Sequence, residues 1–131
     1  MIRGVVMEKL QLEATQYTPE INLDPAGIMA FSGKSYPENT FDFYQPVMEW
    51  LDQYFANELP KRTVVNMEIV YFNSSSSKLF FDMFDMMEEA SGEHSLEVNW
   101  IYDPENESAR EAGEDFIEDF EKLTINLIEK G

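Results

Sequence analysis

The segment Thr63-Val64-Val65-Asn66-Met67-Glu68-Ile69-Val70-Tyr71-Phe72 constrains the fold more than any other stretch of this chain. It is rich in β-branched and aromatic residues, and its pattern has a period of two. Val65, Met67, Ile69 and Tyr71 fall on one face, and Val64, Val70 and Phe72 on the other. Apolar residues on both faces point to a central strand covered on both sides. Such a strand needs neighbours, and the rest of the sequence offers them. Ser95 to Tyr102 alternates through Leu96, Val98, Trp100 and Tyr102, and Leu123 to Ile128 alternates as a last strand. Upstream, Met7 to Ala14 reads as a first strand with Leu10 and Leu12 on one face. Thr18 to Leu23 reads as a short second strand and Ile28 to Ser32 as a third. Asp24-Pro25-Ala26-Gly27 is turn chemistry, so the second and third strands are expected to pair as a hairpin.

Elsewhere the apolar spacing becomes helical. Asn39 or Thr40 can cap a helix whose apolar positions are Tyr44, Val47, Met48, Leu51, Tyr54 and Phe55, ending near Asn57 and before Pro60. Pro46 fits that helix only if it falls in the first turn. A second helix is expected from Ser75 or Ser76 to Ala90, with Leu79, Met83, Met86 and Ala90 in one stripe and Gly92 as its stop. Asp103-Pro104 opens a third, running from about Glu105 to Phe120. Gly113 lies inside it at a cost of up to about 1 kcal/mol relative to alanine, which close packing on the sheet would offset. The order β-β-β-α-β-α-β-α-β predicts an α/β fold: a mixed β-sheet with an N-terminal β-hairpin followed by alternating helices and strands. The 131 residues suit a single domain spanning 1–131, with residues 1–6 read as a loose N-terminal extension.

Charge narrows the function. The formal net charge is -17, which disfavours phosphate backbones and anionic lipid and favours a basic protein surface as partner. No apolar run reaches the roughly 18 residues of a membrane span, the start is too short and mixed for a secretory signal, and there is no cysteine. These features suggest a cytoplasmic protein. The acidic groups Asp82, Asp85, Glu88, Glu89 and Glu114, Asp115, Glu118, Asp119 lack the spacing of calcium loops and read as solvated helix faces, so no metal is expected. His94, the sole histidine, sits in a predicted loop with no nucleophile beside it, and no glycine-rich phosphate cradle is present. No cofactor site and no enzyme constellation emerges.

The strongest functional signal is Asn73-Ser74-Ser75-Ser76-Ser77-Lys78, where the central strand turns into a helix. Serine is a poor helix former and a good cap, but capping needs only one of the four. A helix start offers unpaired N–H groups and a positive dipole end, which favour a phosphoryl group, and Lys78 stands one turn away to pair with it. On this reading all four serines are candidates. Tyr36-Pro37-Glu38-Asn39 reads either as a turn and cap or as part of a docking surface beside the serines. If the third strand and the central strand run parallel, the two loops share one sheet edge. Phe80, Phe81 and Phe84 give the second helix more apolar surface than one buried face needs: either the helix is deeply embedded in the sheet, or Phe80 or Phe84 contributes to a protein interface.

Several segments taken together resemble the SiaC family of bacterial regulatory phosphoproteins. They are Gly33-Lys34-Ser35-Tyr36-Pro37-Glu38-Asn39, Phe43-Tyr44-Gln45-Pro46, Trp50-Leu51, Tyr71 to Lys78, Trp100-Ile101-Tyr102 and Glu111 to Phe116. The resemblance runs from about Glu8 to Ile128. It implies a fold similar to STAS-domain anti-sigma-factor antagonists. It also implies phosphorylation by a cognate serine/threonine kinase at a hydroxyl in the serine loop, and reversal by a protein phosphatase 2C-type phosphatase. The unphosphorylated form would bind and activate a diguanylate cyclase, raising cyclic di-GMP and biofilm formation. The family's acceptor directly follows the asparagine, which places it on Ser74, where relatives often carry threonine; Ser75 and Ser76 adjoin it, and Asn73, Ser77 and Lys78 complete its surroundings. The competing readings are an anti-sigma-factor antagonist, which shares the switch logic, and a small serine hydrolase, which would need a general base beside Ser74 or Ser75.

Overall fold

A computed structural model describes residues 7–57, 62–92 and 94–131. The expectation about residues 1–6 lies outside them, as does Pro60. Within them the element order follows the sequence pattern: β1 (Leu10–Leu12), β2 (Glu20–Asp24), β3 (Ile28–Ser35), α1 (Thr40–Ala56), β4 (Arg62–Phe72), α2 (Ser74–Ala90), β5 (Ser95–Tyr102), α3 (Glu107–Asp119) and β6 (Thr124–Glu129). The strands form one mixed sheet in the order β1-β2-β3-β4-β5-β6. β1, β2 and β3 pair antiparallel, and the expected β2–β3 hairpin is present; β3 to β6 are parallel. β1 is shorter than Met7–Ala14 because only Leu10 to Leu12 find partners, opposite Leu23 to Ile21.

Each parallel step moves the chain one strand in the same direction. Right-handed crossovers then lay every helix on one face. A single core joins Val47 and Leu51 of α1, Phe80, Met83, Phe84 and Met87 of α2 and Phe116 of α3 to one side of the strands. The expectation that the central strand is covered on both sides is therefore wrong. Val65, Met67 and Ile69 are buried, whereas Val64, Asn66 and Glu68 on the other face are only half-buried and Val70 is exposed. That outer face carries a polar ladder: Asn126 Nδ2 donates to Asn99 Oδ1 at 3.0 Å, and Asn99 Nδ2 to Asn66 Oδ1 at 2.9 Å.

A second correction concerns the end of β4. Gly33 pairs with Ile69 but Lys34 pairs with Tyr71, so Val70 has no residue opposite it. This bulge reverses the alternation beyond it. Tyr71 turns outward, while Phe72 turns into the core against Phe80 at a centroid distance of 5.4 Å and Trp100 at 6.0 Å. Gly33 permits the shift: its φ of +127° is open to glycine, and a Cβ there would sit 3.4 Å from Pro19 Cα. Asn106 Nδ2 donates to the Val70 carbonyl at 3.0 Å, so the bulge leaves no orphan there.

All three helices are capped by asparagine: the Oδ1 atoms of Asn39, Asn73 and Asn106 accept from the amides of Asp42, Ser76 and Ala109 at 3.1, 2.9 and 3.1 Å. Asn39 is one of the two expected caps of α1, whereas α2 is capped by Asn73 and not by one of its serines, and α3 starts at Glu107, two residues later than expected. α2 therefore begins at Ser74, and it ends at Ala90 with Ser91 as its C-terminal cap, just before Gly92. Pro46 lies beyond the first turn of α1, and its lack of an N–H removes the bond that the Asp42 carbonyl would otherwise accept. Gly113 meets its expected purpose, since a Cβ there would stand 2.5 Å from Trp100 Cδ1 and 2.6 Å from Leu127 Cδ1.

Candidate functional site

The parallel pairing of β3 and β4 brings their carboxyl ends to one edge, and the two loops that leave them meet there, as expected. The Asn73 amide donates to the Ser35 carbonyl at 3.1 Å, tying the start of α2 to the end of β3. Between the loops lies an open groove of about 600 Å³ walled by Glu38, Asn39 and Phe41 on one side and by Asn73, Ser75, Lys78 and Asp82 on the other. Pro37 is buried beneath it. Tyr36 turns away from the groove. Its ring packs edge-on between Tyr17 and Tyr71 at centroid distances of 5.3 and 5.5 Å, forming an aromatic cluster with two half-exposed outer members. The Tyr36-Pro37-Glu38-Asn39 segment is thus divided between two surfaces.

The helical twist of about 100° per residue sends the serines in different directions. Ser74 and Ser75 are exposed, Ser76 is fully buried, and Ser77 is half-buried on the side of α3, where it lines a cleft with Phe81, Ser108 and Ala112. Ser76 is thereby removed from the accessible hydroxyls. Its Oγ shares a 2.7 Å hydrogen bond with Ser35 Oγ, which shares another of 2.6 Å with the Tyr44 hydroxyl. Burial pushes the Tyr44 phenol up to about 12, against a smaller lowering by the Ser35 bond, so it stays neutral at physiological pH.

At the first turn of α2 the Ser76 amide goes to Asn73 Oδ1 and the Ser77 amide to the Asn73 carbonyl. The amides of Ser74 and Ser75 stand ahead of these, at the positive end of the helix. Lys78 is exposed and four residues beyond Ser74, hence on the same helix face. The first turn of α2 holds no acidic residue, whereas α1 has Asp42 and α3 has Glu107. An anion carried on Ser74 would meet open amides, an uncompensated dipole and a cation.

Phe80 and Phe84 do not form an interface in this fold: both are 0 % exposed. The buried stripe of α2 is Ser76, Phe80, Met83, Phe84 and Met87, rotated from the expected Leu79, Met83, Met86 and Ala90. Phe41 and Phe81 are exposed near the site, as are Tyr17 and Tyr71 of the Tyr36 cluster. Ser35 and Tyr44 were also missed as partners of the serine run; their motif positions marked them, but nothing local revealed that three distant hydroxyls meet. His94 precedes β5 and lies near the start of β4, opposite the serine run across a strand about 30 Å long. Among the described residues no group of three or more metal-ligating side chains occurs, and no helix is long and apolar enough to cross a membrane.

Three helices on one face of a mixed six-stranded sheet, with a hydroxyl-rich helix start at the carboxyl edge of its parallel strands, make up a small α/β regulatory domain. The family described as SiaC family regulatory phosphoprotein matches residues 12–130, and the chain belongs to that family. An uncharacterized protein of Pseudomonas aeruginosa strain UCBPP-PA14 is 35% identical over 115 residues, covering 86% of this chain and 90% of that one. The solved structure of SiaC of Pseudomonas aeruginosa has a TM-score of 0.85 and 31% identity, covering 95% of this chain and 100% of its own. A similar match, TM-score 0.85 and 32% identity over 92% of this chain and 99% of that one, is to the crystal structure of the diguanylate cyclase SiaD in complex with its activator SiaC from Pseudomonas aeruginosa.

Proposed function

We propose that this chain is a non-enzymatic cytoplasmic regulator that binds and activates a diguanylate cyclase while Ser74 is unmodified, and is switched off by phosphorylation of Ser74. A cognate serine/threonine kinase adds the phosphate and a protein phosphatase 2C-type phosphatase removes it. One observation carries the choice of residue: Ser74 is the exposed first residue of an asparagine-capped helix that has no acid in its first turn. The similarity to a cyclase activator supports the choice of partner.

The switch acts through charge and volume. A phosphoserine brings about two negative charges and a tetrahedral group to the exposed start of α2, beside Asn73 and Lys78 of the groove wall. There it draws Lys78 and the first amides of α2 to itself, withdrawing them from any partner that used them. Glu38 and Asn39, exposed on the opposite wall, belong to the same docking surface, and the Tyr36 cluster extends it along the edge. The core beneath need not move.

The test is cyclase binding by wild type, Ser74→Ala and Ser74→Asp. Wild type and Ser74→Ala are expected to bind alike, and Ser74→Asp at least about tenfold more weakly, a loss of about 1.4 kcal/mol. Equal affinity for all three sinks the switch. Capture of an anti-sigma factor in place of a cyclase would move the chain to the partner-switching transcriptional class while keeping its logic.

A further inference from the structure

Four identical nucleophiles in a row pose a problem that the local sequence does not solve: a kinase must modify one of Ser74 to Ser77. We propose that Ser35, Tyr44 and Ser76 form a buried hydroxyl lock that selects the acceptor by fixing the rotation of the first turn of α2. This inference rests on the phospho-switch reading and deepens it.

All three residues are 0 % exposed, and they come from three separate segments: the end of β3, the second turn of α1 and the first turn of α2. Ser35 is the hub, at 2.6 Å from the Tyr44 hydroxyl and 2.7 Å from Ser76 Oγ. Around the lock the packing is apolar, with the Tyr44 ring edge-on to Phe80 at 5.9 Å. Among the described residues no buried side-chain polar atom lacks a partner, so these hydroxyls depend on one another. A side chain rotated out of the lock would leave a desolvated oxygen behind. Holding Ser76 inward then sets its neighbours by helical geometry: Ser75 toward the groove, Ser77 toward α3, and Ser74 into solvent above Lys78. Asn73 fixes where the helix starts, and the lock fixes which way it faces. Ser76 is thus a positioning residue, as are Ser35 and Tyr44, and none of them is an acceptor.

The experiment recovers the full chain from its native cells and maps phosphate by tandem mass spectrometry in wild type, Ser35→Ala, Tyr44→Phe and Ser35→Thr. A control, Tyr54→Phe, breaks a separate buried hydroxyl pair, Tyr54 with Thr63 at 2.7 Å, at the far end of β4. Wild type is expected to carry nearly all its phosphate on Ser74. Ser35→Ala should send more than half to Ser75, Ser76 and Ser77, Tyr44→Phe a smaller share, and Ser35→Thr should restore Ser74. Tyr54→Phe should lower the melting temperature without moving the phosphate. Amide exchange at Ser76 and Ser77, whose N–H groups are bonded to Asn73, should quicken at least tenfold in Ser35→Ala and stay unchanged in the control. Phosphate confined to Ser74 in both Ser35→Ala and Tyr44→Phe overturns the lock and leaves the switch standing. Equal scattering in the control overturns it too, by reducing the effect to general stability. A wild type with no phosphate on residues 74–77 overturns the switch itself, and the lock with it.

Discussion

Helices α2 and α3 begin in nearly the same way and differ in the residue that comes after the cap. Asn73 and Asn106 each accept from the amide three residues on, at 2.9 and 3.1 Å. Both helices start at the carboxyl edge of a parallel strand. The first helical residue is Ser74 in one and Glu107 in the other. α3 therefore carries a permanent carboxylate where α2 carries a hydroxyl. They also differ in how they sit on the sheet. α3 lies close, with Gly113 against Trp100 and Leu127, while α2 stands off on Phe80, Met83, Phe84 and Met87. At its start α2 is tied to β3 through Asn73 and Ser76, and it is the first residue, Ser74, that stays exposed where an enzyme can reach its hydroxyl. A helix with its own carboxylate has no use for a phosphate there.

The largest effect should come from the side chains that hold α2 away from the sheet. Phe84 packs against Phe116, Phe120 and Trp100 at centroid distances of 4.8, 5.9 and 6.4 Å. Phe84→Ala is expected to cost about 3–5 kcal/mol in urea unfolding, mostly from the cavity it leaves. A loss below about 1 kcal/mol, with weakened partner binding, would return Phe84 to the interface role its sequence suggested. For α3 the matching change is the opposite one. Gly113→Ala places a methyl where Trp100 Cδ1 lies 2.5 Å away, and should cost about 1–3 kcal/mol through overpacking, despite alanine's better helix propensity. A gain in stability would mean that α3 can lift off the sheet as freely as α2.

The same pair of helices marks where the sequence was legible. Element order, the hairpin, β5 and the purpose of Gly113 follow from local pattern, because each is fixed by spacing along the chain. The buried stripe of α2 does not follow. Phe80, Phe81, Met83, Phe84, Met86 and Met87 spread around most of the helix, so apolarity alone leaves its rotation undetermined. The sheet supplies the missing phase, and Ser76 sits in the stripe that results. The open outer face was hidden for a related reason: valines on both sides of β4 look alike, and only the shared direction of three crossovers leaves one side bare. The bulge at Val70 depends on register against β3, which no single segment encodes. The site loops were legible because Asn39 and the serine run mark helix starts, and parallel strands bring those starts together; that Asn73 rather than a serine is the cap was not. The hydroxyls beneath them were not, since their meeting is a property of the tertiary fold.

The smallest expected effect bears most directly on the comparison. If the two helix starts differ only by the charge at the first position, exchanging that charge should exchange their behaviour. Glu107→Ser should cost about 0.3–1 kcal/mol through the lost dipole interaction, roughly 1–4 °C in melting temperature. The contact of Arg110 with Glu107 at 3.7 Å adds little, because both side chains are well exposed. Ser74→Glu should gain a similar amount, reduced by repulsion within a chain of net charge -17. The double exchange leaves the net charge unchanged, so that repulsion cancels and the stability should return to within about 0.5 kcal/mol of wild type for two distant sites. At 1 M salt, where the screening length falls to about 3 Å, both single effects should shrink together. If Ser74→Glu destabilises at low and high salt alike, the cause is steric or conformational, and the start of α2 is not the anion-ready counterpart of α3. If it stabilises at low salt and the gain fades with screening, Ser74 occupies the position where a phosphate is favoured on electrostatic grounds before any partner is considered.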